Sequence, residues 1–119
     1  MEILKTLTKK LDLNEKDIPE YEEVLQEVKR ITDNRHIQFS ENAKLVFYAH
    51  IISFIQRLKT GEILNVTFDD CQKEIKTSAI SSAEEIVTYI CKRFCSEMDD
   101  AEVLLIAIHI QAALLKKEC

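Results

Sequence analysis

The chain of 119 residues holds one glycine, one proline and no tryptophan. So few turn-forming residues leave almost no material for hairpins, and an all-α fold is expected before any pattern is read. Long hydrophobic runs are also missing. No segment reaches the roughly 18 uncharged apolar residues of a membrane span, and the longest candidate, Val103 to Ile110, already contains His109. A basic surplus is lacking too: the formal net charge is −5, whereas a nucleic-acid surface needs a basic stripe to displace counterions. Lys9-Lys10 and Lys116-Lys117 are too short to form one. The start, Met1-Glu2-Ile3-Leu4-Lys5, has neither the basic residues nor the apolar stretch of a signal peptide. A cytoplasmic protein with reduced cysteines is therefore expected.

Cysteines number four, Cys71, Cys91, Cys95 and Cys119. Cys91 and Cys95 lie one helical turn apart, but the tight CxxC turn of structural zinc sites is absent. Packed core thiols are expected, with no metal and no other cofactor.

What the chain does have is 46% hydrophobic and 31% charged residues, enough for one core in one domain. Ile3, Leu4, Leu7 and Leu11 form a weak amphipathic stripe that either packs or frays. Asp17-Ile18-Pro19-Glu20 reads as a helix start, with Asp as cap, Pro in the first turn and Glu reaching back. Tyr21, Val24, Leu25, Val28 and Ile31 then recur at helical spacing. Ser40 caps a second helix that stops at Thr60-Gly61. A shorter third helix is expected from Asn65 or Thr67, with Asp69 and Asp70 in its first turn, Lys73 and Lys76 later, and Phe68, Cys71 and Ile75 inward. Ser81-Ser82-Ala83-Glu84 reads as a capping box opening a fourth helix, with Ala83, Ile86, Val87, Ile90 and Phe94 inward. Asp99-Asp100-Ala101-Glu102 opens the last, which runs to about Lys116. Five helices in a compact bundle are predicted, plus the short N-terminal one; residues 1–16 are an N-terminal segment and 17–119 a single domain.

Two histidines interrupt very apolar helices. On a helical wheel His50 falls between an apolar arc (Phe47, Tyr48, Ile51, Phe54, Ile55, Leu58) and a polar one, so a part-buried, reachable ring is expected. Arg57 lies two turns on, nearly in line with it. From Val103 to Leu115 the last helix is apolar almost all round, which marks a central helix or one pressed against another protein. Its polar line is Glu102, His109 and Lys116 at heptad spacing. Such a line must meet partners or water, because unpaired buried charge is costly. Either Glu102 merely caps the helix while Lys116 is solvated and His109 is buried alone, or His109 faces a partner group, for which His50 is the natural candidate. His36, in a polar loop, reads as ordinary surface.

The segment Ala49-His50-Ile51-Ile52-Ser53-Phe54-Ile55-Gln56-Arg57-Leu58-Lys59-Thr60-Gly61 resembles the His-centred helix of the PTS regulation domain (PRD). Asp99-Asp100-Ala101-Glu102-Val103-Leu104-Leu105-Ile106-Ala107-Ile108-His109-Ile110-Gln111 resembles its second His-containing helix, including the Glu two turns before His. The similarity spans roughly Glu22 to Leu115. It implies a PRD-like five-helix bundle of the kind found in bacterial transcription antiterminators and activators. It also implies phosphoacceptor roles for His50 and His109, with HPr or a sugar-specific enzyme IIB as donor, and homodimer contacts that change on phosphorylation. Two departures stand out. The chain reads as a lone copy without an effector module, and Ala49 stands where the family commonly has Asp, which weakens phosphorylation at His50 more than at His109.

The expected function is thus a non-catalytic regulatory module, with Arg57, Glu102 and Lys116 supporting the two histidines and no contact with nucleic acid or membrane. The alternative is a PRD-fold interaction module that dimerises without being phosphorylated. An enzyme using His50, His109 and Glu102 is disfavoured, because the sequence has no Glu-x-x-His pair, no Gly-rich phosphate loop and no nucleophile–base–orienter set.

Overall fold

The computed structural model describes residues 2–61 and 75–118, with side chains described for 3–61 and 75–114. Among these there are five α-helices and no strand: α1 (Glu2–Leu11), α2 (Ile18–Asn34), α3 (Glu41–Thr60), α4 (Thr77–Arg93) and α5 (Asp100–Glu118). The helix expected from Asn65 or Thr67, with Phe68, Asp69, Asp70, Cys71 and Lys73, lies outside the described residues. The N-terminal stripe packs rather than frays: Leu4 and Leu7 are buried in the common core, while Leu11 stays exposed.

Helix α2 buries Tyr21, Val24, Leu25, Val28 and Ile31, the face its spacing predicts. Its entry differs from the expected capping box. Asp17 sits at the cap position with helical backbone angles and makes no side-chain cap, because a 3-10 turn over Glu15–Asp17 already leads into the helix. The capping oxygen there is Asn14 Oδ1, which accepts from the Lys16 N–H at 3.0 Å. Asp17 and Glu20 instead pair with Lys59 of α3, so these carboxylates tie two helices together.

Helix α3 has the ends its sequence predicts. Ser40 Oγ accepts from the Ala43 N–H at 3.2 Å. Gly61 adopts φ +77° and donates its N–H to the Arg57 carbonyl. Helix α4 starts one turn before the expected Ser81. Ala79 is fully buried in the core, and its packing draws the chain into helix early. Ser82 is therefore internal, donating to the Ser78 carbonyl at 2.8 Å and accepting from Arg35 at 3.3 Å. Lys76, expected near the end of the preceding helix, precedes α4 as its cap residue.

Helix α5 is capped by Asp99, whose Oδ1 accepts from the Ala101 N–H at 3.0 Å. It buries Glu102, Val103, Ile106, Ala107, Ile110 and Ala113, packing chiefly on α4 and also on α3. No helix of the described residues is long and apolar enough to cross a membrane. Of the cysteines, Cys91 is a packed thiol whose Sγ donates to the Glu97 carbonyl, and Cys95 is exposed. Burial pushes the Cys91 thiol above its usual range.

Candidate functional site

The α3–α5 contact sets two polar stripes against each other. Residues seven apart on a helix share one face, so His50 and Arg57 form one stripe on α3, and Glu102 and His109 form the other on α5. Glu102 is only 1% exposed and reaches both α3 residues. Its Oε2 accepts from His50 Nε2–H at 3.1 Å, and its Oε1 accepts from the Arg57 guanidinium. A buried carboxylate is tolerated only when paired and hydrogen-bonded, and here two donors from one neighbouring helix meet that need. Glu102 therefore bridges α5 to α3 and does not serve as a helix cap.

The imidazoles of His50 and His109 lie side by side, with centroids 5.5 Å apart and planes inclined by 34°. His109 also meets Phe47, centroid to centroid 6.1 Å, and Phe39 stacks on Phe47 at 4.7 Å. Burial, and secondarily the nearby His50, holds His109 below the ordinary histidine range. Its ring is therefore neutral at neutral pH, with one nitrogen lone pair free to react. No described residue forms a hydrogen bond with that ring. The His50 side chain is 13% exposed and His109 is part-buried. Further along α3 a groove is lined by Ser53, Gln56, Arg57 and Thr60, and neither histidine is among its lining residues. Arg57 has one further feature: its Nε is buried without a hydrogen-bond partner.

The structure thus brings together His50, His109, Arg57 and Glu102. The side chain of Lys116, the remaining member of the α5 stripe, lies outside the described residues. His36 is exposed in the turn after α2, with φ +58°, and does not join the site. Two contributors were not singled out from sequence: Phe39, and Phe47 as a wall for His109. Aromatic residues on an apolar face carry no signal of which ring they will meet. No group of three or more potential metal ligands occurs among the described residues.

The comparisons with known proteins agree on the kind of domain. The family model of the PRD domain matches residues 22–113, most of the chain. A crystal structure of a PRD-containing transcription regulator from Lactobacillus casei ATCC 334 is similar in fold, with a TM-score of 0.77 over 92% of this chain and 93% of that one, at 21% sequence identity. No curated protein matches the sequence. With both histidines inside the matched span and the bundle shared along nearly its whole length, the chain belongs to the PRD domain family.

Proposed function

We propose that the chain is a non-catalytic regulatory module of the sugar phosphotransferase system, which accepts a phosphoryl group on the His50/His109 pair and passes the signal on through dimer or partner contacts. The donor would be HPr or a sugar-specific enzyme IIB, and the output would be control of transcription or carbohydrate metabolism. The observation that carries this reading is the pair of part-buried imidazoles 5.5 Å apart, one of them hydrogen-bonded to a buried carboxylate that also pairs with Arg57. A phosphoryl group adds about 1.5 to 2 negative charges. Placed here, it would sit beside Glu102, which repels it, and near Arg57, which attracts it, with Lys116 further along the same stripe. A packed interface answers such a change by rearranging, since tightly packed contacts have discrete alternatives.

Incubation with enzyme I, HPr and labelled phosphoenolpyruvate is expected to label the wild type and to leave a His50→Ala/His109→Ala double variant unlabelled. A wild type that takes no label, or a double variant that keeps it, contradicts the reading. A second reading, an interaction module of the same fold that is not phosphorylated, is favoured by one observation: Glu102 already occupies His50 Nε2. Sedimentation with and without phospho-HPr separates the two, because the second reading predicts no change in mass.

A further inference from the structure

The two imidazoles differ in what holds them. Glu102 is fixed by Arg57 and, as a carboxylate, only accepts hydrogen bonds. The His50 nitrogen facing it, Nε2, must therefore carry the hydrogen, and it has no lone pair to offer. The nitrogen left on His50, Nδ1, is one bond from the ring carbon attached to Cβ and lies close to its own helix. Among the described residues none hydrogen-bonds the His109 ring, and its ring neighbours are Phe47 and His50.

We propose that His109 is the phosphoryl acceptor and that Glu102 determines this choice by holding His50 Nε2. The inference rests on the phosphoacceptor reading above and deepens it, by assigning unequal roles to the two histidines. In the transfer, the ring-nitrogen lone pair of neutral His109 attacks phosphorus of a phosphohistidine on the donor protein. An N–P bond forms on His109 as the donor's N–P bond breaks, and the electron pair of the broken bond returns to the donor imidazole. Each ring keeps the hydrogen on its other nitrogen, so no proton is gained or lost overall. His50, anchored through Nε2 to Glu102, is a positioning residue: with Phe47 of the same helix it packs against the His109 ring. Glu102 is likewise a positioning residue, acting on the choice of acceptor through His50.

The test uses the full chain, phosphorylated HPr as donor, and tryptic mapping under alkaline conditions. His50 falls in the Leu45–Arg57 peptide and His109 in a separate one. In the wild type, label is expected on the His109 peptide in roughly tenfold excess over the His50 peptide, the discrimination that one charge-assisted hydrogen bond supports. His109→Ala should lose label by a similar factor, and Glu102→Gln in the His109→Ala background should restore label, now on the His50 peptide. A merely structural role for Glu102 would lower label at both positions and could not move it from one to the other. Wild-type label lying equally or mainly on the His50 peptide overturns the proposal while leaving the phosphoacceptor reading intact, as does a folded double variant that stays unlabelled. Absence of label from both peptides of the wild type overturns both. The wild-type distribution needs no variant, so it decides the matter even if Glu102→Gln unfolds.

Discussion

Glu102 carries the largest energetic stake of any single residue in the seam. It is almost wholly buried, and it holds one hydrogen bond from His50 and one ion pair from Arg57. Replacing it with alanine leaves a part-buried guanidinium, whose Nε already lacks a partner, without its counter-charge. The loss is expected to be about 3–5 kcal/mol, the range for breaking a buried pair by removing one member. Glu102→Gln, which keeps an acceptor, should cost less. Urea denaturation of the three proteins checks the order.

His109 gives the site a pH signature. Its folded form resists protonation because of burial and the adjacent His50, while the unfolded chain protonates near the ordinary value of 6.5. Below that value the unfolded state binds more protons, so stability rises with pH through this window. The contribution is present above the ordinary histidine range and is lost as pH falls toward the lowered folded value. Thermal melts between about pH 7.5 and about pH 5.5 should show a decline that is shallower in His109→Asn, a side chain that does not titrate there. An unchanged slope in that variant would contradict the assignment of His109 as a neutral buried ring.

At the scale of elements, the parts legible in sequence are those set by local chemistry. Ser40 and Gly61 were readable as the ends of α3 because a side-chain cap and a left-handed glycine act within a few residues of themselves. Gly61→Ala is expected to cost about 1 kcal/mol, since the position needs φ +77°. Among the described residues no neighbour lies within 4 Å of where a Cβ would stand, so backbone conformation sets the loss. An unfolding midpoint that falls with no change in denaturant slope is the matching result. The two capping boxes read at Asp17 and Ser81 failed for non-local reasons. A preceding 3-10 turn feeds α2, and burial of Ala79 pulls the start of α4 forward. Both are decided by neighbours that a local motif does not see.

The candidate site shows the same division. Heptad spacing made the stripes His50/Arg57 and Glu102/His109 visible, because helical periodicity is a property of one segment. That Glu102 would be the most deeply buried of the four was not visible, because burial depends on which face of α3 lies opposite. From sequence Glu102 reads either as a cap or as one of the residues supporting the histidines; packing makes it the bridge that holds two helices and one imidazole. The aromatic wall of Phe39 and Phe47 was hidden for a related reason, since its meaning comes only from the ring it meets.

For the whole molecule, five described helices form a scaffold in which most apolar side chains serve the core and one seam is reserved for charge and protons. Inter-helix pairs elsewhere, such as Arg35–Glu85 at 2.7 Å and Arg93–Glu23, lie at the surface and tie α4 to α2 and to the turn after it. Exposed pairs of this kind contribute little individually. Leu104, Leu105 and Ile108 on α5 remain half-buried, and Val46 on α3 is 56% exposed. The proposed dimer would cover such residues, so sedimentation should detect a change in mass when the seam gains charge.

Phosphorus NMR of the intact chain after incubation with phospho-HPr tests the central claim most directly, because it sees the modified atom itself. A phosphohistidine resonance distinct from that of phospho-HPr, present with the wild type and absent with the folded His50→Ala/His109→Ala variant, is the predicted result. A folded wild type that shows the phospho-HPr resonance alone would contradict the account.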